Sequence, residues 1–135
     1  MYVVDASVWV SRFVPGDVHH EPSYQWLEGV VARGDLVAAP ALLLVEVAAT
    51  ISRRTGRPEL AAQAVELLEQ LPNGRLVTVD ALLARLAAGL AGQLHLKGGD
   101  ALALAQRVGF TLLTWDQEQL EHGSAVTPVL TPPEP

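Results

Sequence analysis

Residues 2–10 read Tyr2-Val3-Val4-Asp5-Ala6-Ser7-Val8-Trp9-Val10. A β-branched run too short for a helix ends on an aspartate, and an apolar stretch able to form a helix follows at once. The pattern is that of a buried strand handing over to a helix, with Asp5 at the junction. A carboxylate there either caps the helix, accepting the amide of Ser7 or Val8, or belongs to a site.

The pattern recurs along the chain. Leu36-Val37-Ala38-Ala39 ends at Pro40, Leu76-Val77-Thr78-Val79 ends at Asp80, and Thr111-Leu112-Leu113-Thr114 runs into Trp115-Asp116. Each run is apolar on both faces, as expected of parallel strands covered on both sides. Stretches of helical period lie between them. Tyr24, Leu27 and Val31 share one face, and Ala41 to Arg54 is strongly apolar, with Pro40 placed to start it. Leu60, Ala64, Leu67, Leu68 and Leu71 form a third stripe that Pro72-Asn73-Gly74 stops. Ala81 to Leu94 and Asp100 to Val108 complete the set, with Gly109 as the last stop. Such alternation predicts an α/β fold, a three-layer α/β/α sandwich with a mainly parallel sheet. No repeat or linker interrupts it, so 1–135 reads as one domain, with 131–135 a loose tail.

Half of the 135 residues are apolar and aromatics are few, a globular composition. No apolar run reaches the roughly 18 residues of a membrane span, and no secretory signal opens the chain. The absence of cysteine excludes disulfides, thiolate metal sites and cysteine nucleophiles. These features lead us to expect a soluble, cytoplasmic protein. A formal charge of −6 opposes sequence-blind adhesion to nucleic acid. It leaves a nucleic-acid enzyme open, because carboxylates gathered around metal ions inflate the negative count.

Four acids stand out. In a parallel α/β sheet ligands collect at the carboxyl ends of the strands. Asp5 and Asp116 both follow strands there, while Asp100 opens a helix after Gly98-Gly99. Glu46 interrupts Leu42-Leu43-Leu44-Val45-Glu46-Val47-Ala48-Ala49, a stretch apolar all round and so expected to be buried. No basic residue lies one turn away from it, so its carboxylate needs a partner outside its own helix. Each acid also has a purely structural reading. Asp5, Asp100 and Asp116 could be helix caps, and Glu46 an end-of-helix or interface position reaching water. Four carboxylates brought together would raise one another's pKa unless a cation compensated them. Mg²⁺ or Mn²⁺ prefers oxygen ligands and needs only one or two carboxylates per ion, and it suits hydrolysis of a phosphodiester. Ser7 and Thr114 add hydroxyls beside Asp5 and Asp116.

The segments "VVDASVWV", "PALLLVEVAATISR" and "LKGGDALALAQRVGFTLLTWD", in that order, resemble the PIN-domain ribonucleases, in particular the VapC-type toxins of VapBC toxin–antitoxin pairs. The resemblance spans nearly the whole chain. Asp5, Glu46, Asp100 and Asp116 occupy the positions of that family's four acids, and Ser7 matches the small hydroxyl residue after the first. Asp80 has no counterpart and is left as a cap. The resemblance implies an endoribonuclease dependent on Mg²⁺ or Mn²⁺, acting on cellular RNA as a homodimer and restrained by a cognate antitoxin. The apolar helices between Ala41 and Leu71 are the expected dimer surface. Gly98-Gly99 would leave the start of the Asp100 helix flexible. Trp115, where small residues are common, either stacks an RNA base or packs on the sheet edge.

An acidic protein that binds RNA needs local cations. Arg53 lies seven residues beyond Glu46 on one helical face, with Arg54 and Arg57 following it, Arg12 lies seven beyond Asp5, and Lys97 precedes Asp100. These are the candidates for phosphate contacts. His19 and His20 fall in an expected loop, and no histidine shows metal-ligand spacing. Two rival readings remain. A metal-dependent phosphatase on a similar sheet is disfavoured, because the haloacid type needs a second aspartate where Ser7 stands. A non-catalytic PIN-like binding or dimerisation domain would be favoured had one of the four acids been replaced.

Overall fold

The computed structural model describes residues 1–134. Five strands, β1 (Tyr2–Val4), β2 (Val37–Pro40), β3 (Gly74–Val77), β4 (Thr111–Leu113) and β5 (Val129–Leu130), lie in the order β3-β2-β1-β4-β5. Every neighbouring pair is parallel. Around them run α1 (Ala6–Phe13), α2 (His20–Arg33), α3 (Leu43–Thr55), α4 (Pro58–Gln70), α5 (Ala81–Leu94), α6 (Asp100–Val108) and α7 (Gln117–His122), with a 3-10 turn at Gly123–Ala125.

The two-residue period of the strands sorts the core into two layers. Val4, Val37, Ala39 and Leu113 face one way, against Val8 and Trp9 of α1, Leu27 and Val30 of α2, Val47 and Ile51 of α3, and Ala64 and Leu68 of α4. Val3, Ala38 and Leu112 face the other way, against Leu83, Ala87 and Leu90 of α5 and the wholly buried run Ala101–Ala105 of α6. The three-layer sandwich is therefore as expected. Each fully buried aliphatic side chain, such as Ile51 or Leu83, stabilises it by roughly 1.5–3 kcal/mol.

Several local expectations change. β5 carries no hydropathy signal because it is only two residues long. β3 is an edge strand, and Arg75 and Leu76 are exposed rather than covered. Pro40 is the last residue of β2 and not a helix start, since Ala41-Leu42 form a turn before α3. His20 begins α2 rather than sitting in a loop. The stretch around Glu46 is not buried all round. Leu43, Val47 and Ile51 point into the core, whereas Leu42, Val45, Glu46 and Ala49 point outward. The end of the chain has no regular structure from Thr131 to Glu134, though Pro132 is buried. Pro135, the last residue of the expected tail, lies outside the described residues.

Candidate active site

From β1 the chain passes through α1 and α2 to β2 and through α3 and α4 to β3, all on one side. It then returns through α5 and α6 to β4 on the other side of β1. The direction of winding reverses between β1 and β4, and a crevice opens at the carboxyl ends of strands at such a point. Here a cleft of about 410 Å³ is walled by Asp5, Ser7, Glu46, Lys97, Asp100 and Asp116, with Glu118 and Gln119 beside them. The fold thus brings all four sequence-flagged acids to one place from four separate segments.

Asp5 sits between β1 and α1, and its amide donates to the Leu113 carbonyl of β4 at 2.9 Å. Its Oδ2 caps α1, accepting from the Ser7 amide at 3.3 Å. The same oxygen accepts the Ser7 hydroxyl at 2.8 Å and the Thr114 hydroxyl at 2.9 Å. Among the described residues none of these bonds falls on Oδ1. The two hydroxyls then accept in turn, Ser7 Oγ from the Trp115 amide at 2.9 Å and Thr114 Oγ1 from the Asp116 amide at 3.0 Å. Each hydroxyl has one proton to donate, and in both cases it goes to Asp5. Ser7 and Thr114 therefore brace the junction of α1 with the end of β4, fixing Asp5 and Asp116 relative to each other. Ser7 thus acts on Asp5 as a positioning residue.

Asp116 caps α7, its Oδ1 accepting the Gln119 amide at 3.1 Å. Asp100 makes no cap bond: the cap position of α6 is Gly99, and Asp100 is the first helical residue. Its structural reading is thereby removed, and its carboxylate is left to the cleft. The start of its helix is closely packed. A Cβ on Gly99 would lie 2.8 Å from the Ala87 carbonyl oxygen, so the glycine permits α6 to press directly on α5.

Glu46, in the first turns of α3, is exposed as a residue while it stands on the wall of this concave cleft. Partial withdrawal from water raises its pKa most, and the Asp100 and Asp5 carboxylates raise it further, to about 7. Two of the other acids are therefore close enough to be felt electrostatically. No salt bridge among the described residues involves any of the four acids. Lys97 stands at the rim, largely in solvent, with its Nζ 3.8 Å from Glu118.

The donor set is oxygen-only and lacks a compensating cation, which suits a hard divalent ion. Gln119 Oε1, on the same wall, is a buried acceptor with no protein partner among the described residues. As placed, no three His, Cys, Asp or Glu side chains of the described residues are gathered tightly enough to surround a metal. That is compatible with Mg²⁺, which commonly takes one or two carboxylates and fills its other positions with water.

The structure brings none of the arginine candidates to the cleft wall. Arg12 packs its guanidinium over Phe13 and Tyr24 at 4.8 and 4.4 Å and pairs with Glu28 at 3.7 Å. It lies near the end of α1 and lines a different groove, beside α4. Arg53 is exposed on α3 but is not part of the cleft wall. Conversely, Gln119 and Glu118 were not anticipated. Their signal was spacing alone, as residues two and three past Asp116 on a helix that Asp116 caps.

The PIN domain family model matches residues 2–124, and the chain belongs to that family. A comparison with curated proteins gives no significant match. Among solved structures the fold is similar to VapC20 of Mycobacterium tuberculosis, a sarcin-ricin loop cleaving toxin, with a TM-score of 0.73 at 20% identity over 98% of this chain and 100% of that one. It is also similar to FitAcB from Neisseria gonorrhoeae, with a TM-score of 0.68 at 21% identity over 98% of each chain. A third neighbour is VapBC2 from Rickettsia felis bound to a DNA fragment from their promoter, with a TM-score of 0.69 at 15% identity, covering 96% of this chain and 97% of that one. Among the described residues no helix is long and apolar enough to cross a membrane.

Proposed function

We propose that this PIN domain is an endoribonuclease dependent on Mg²⁺ or Mn²⁺, the toxin of a toxin–antitoxin pair. The observation that carries the reading is the convergence of Asp5, Glu46, Asp100 and Asp116 on one uncompensated cleft at the switch point of the sheet. One or two of these carboxylates would bind the ion directly, and the others would reach it through its waters. When bound, it supplies water activation and stabilises the departing oxygen of a phosphodiester. Ser7 and Thr114 orient Asp5 for that task, and Lys97 at the rim contacts a backbone phosphate. The RNA substrate is supported by the likeness to VapC20, and an antitoxin partner by the likeness to the VapBC2 assembly. A cytoplasmic homodimer completes the proposal. Its surface includes the exposed Leu42, in the turn before α3, and Val45 of α3, inside the Ala41–Leu71 region.

The test is cleavage of a mixed cellular RNA pool with Mg²⁺, Mn²⁺ or EDTA, beside Asp100→Ala and Asp5→Ala. Asp100 makes no cap bond and crowds Glu46, so its variant should melt no lower than the wild type while losing about a hundredfold or more of the metal-dependent cutting. Asp5→Ala should lose the activity and also about 1 kcal/mol of stability with its cap. A folded wild type as inert as both variants with either metal would overturn the proposal.

A further inference from the structure

A second cavity, of about 280 Å³, adjoins the acidic cleft and shares Ala6, Ser7 and Glu46 with it. Its chemistry is different. His19 and Trp115 stack face to face on its wall, with ring centroids 3.9 Å apart and planes 5° from parallel. Trp115 is held in place by its Nε1, which donates to Ser23 Oγ at 2.8 Å, and by its amide bond to Ser7. Thr50 and Arg54 of α3 lie one and two turns beyond Glu46 on the face that lines this cavity. Arg54 Nη1 donates to Asp17 Oδ2 at 2.8 Å, and Asp17 Oδ1 accepts the His19 amide at 2.8 Å. Burial alone would raise the Asp17 pKa, but the His19 amide and the Arg54 guanidinium outweigh it and hold it below the ordinary value. One carboxylate thus orients both the stack and the cation. A guanidinium has five N–H donors, and Asp17 occupies only one edge of it.

An acidic cleft repels the phosphates it must receive, so grip has to come from its flanks. Lys97 lines the cleft and not the annex, and Arg54 lines the annex and not the cleft. The annex combines an aromatic stack with an outer ring face, a hydroxyl and a guanidinium, which complement a base, a ribose and a phosphate respectively.

We propose that the annex is a nucleotide subsite next to the scissile bond. In it an unpaired RNA base stacks on the His19–Trp115 pair, while Arg54 and Thr50 hold the adjoining phosphate and ribose. The inference rests on the ribonuclease reading and deepens it, because a base can offer its face only where the RNA is single-stranded or splayed at the cut. It also selects Arg54 for the guanidinium grip from the Arg53, Arg54 and Arg57 group that the sequence offers.

The test uses total cellular RNA labelled with 4-thiouridine, bound to the full chain in Ca²⁺, irradiated, and mapped by peptide mass spectrometry. Crosslinks should concentrate on His19 and Trp115. In cleavage assays Arg54→Gln and His19→Ala should raise KM by about tenfold with kcat little changed, and His19→Phe, which keeps a ring, should restore KM. Arg54→Gln is the safer variant for folding because that side chain is substantially in solvent. If the wild type cuts RNA but crosslinks elsewhere, or both variants keep the wild-type KM, the subsite is overturned and the nuclease reading stands. A wild type that neither crosslinks nor cuts overturns both.

Discussion

Replacing Glu46 by glutamine removes one negative charge from the cleft and keeps the shape of the side chain. The folded pKa of about 7 lies above the ordinary 4.5, because of partial burial first and then the Asp100 and Asp5 carboxylates. A carboxyl shifted in that direction contributes stability that is whole below about 4.5 and is lost as pH climbs through 7. The full rise would be nominally about 3 kcal/mol at about 1.4 kcal/mol per pH unit. Glu46 is exposed, so solvent screening reduces this to about 1 kcal/mol. In EDTA at pH 8, Glu46→Gln should therefore melt about 4 °C above the wild type, and at pH 5 the gap should shrink to a small fraction of that. Circular dichroism melts of both proteins at the two pH values measure it directly. Excess Mg²⁺ at pH 8 should then raise the wild-type Tm more than that of the variant, since it relieves a repulsion only the wild type retains. Equal melting of the two metal-free proteins at pH 8, or a variant less stable there, would refute the argument from crowded like charges.

Two further outcomes separate structural acids and glycines from functional ones. Asp80 accepts the Leu83 amide at 2.8 Å as the cap of α5 and lies outside the cleft. Asp80→Ala should lose about 1 kcal/mol in denaturant titration while RNA cleavage stays at the wild-type rate. Gly99→Ala would place a methyl against the Ala87 carbonyl, a backbone atom that cannot step aside. It should cost about 1–3 kcal/mol and, by moving the start of α6, lower kcat more than about tenfold. Gly98→Ala meets nothing within 4 Å and should leave both quantities unchanged.

Much of this architecture is written locally. The runs at Val3-Val4, Val37 to Ala39 and Leu112-Leu113 alternate two buried faces, α1, α5 and α7 carry their own side-chain caps, and α2, α3 and α6 stop on left-handed glycines. The caps of Asp5, Asp80 and Asp116, and the glycine stop at Gly109, follow from chemistry within four residues of each. The order Asp5, Glu46, Asp100, Asp116 was equally visible as a pattern of acids in apolar settings. Other features depend on contacts between distant segments. β5 is two residues of strand because β4 has a free edge there, and nothing in Val129-Leu130 says so. Glu46 and Arg12 show the same limit from opposite sides. Helical spacing placed each on a face, but only the packing of α3 and α1 against the sheet chose which face meets the cleft and which meets Phe13, Tyr24 and Glu28. Ser7 and Thr114 lie 107 residues apart in the chain, yet their protons meet on one oxygen of Asp5. The His19–Trp115 stack also joins remote segments. Hydropathy period and capping act over one or two turns, and so set strands, helices and candidate acids residue by residue. Strand order, helix rotation and the sharing of a proton between remote side chains are settled by burial of the whole chain at once.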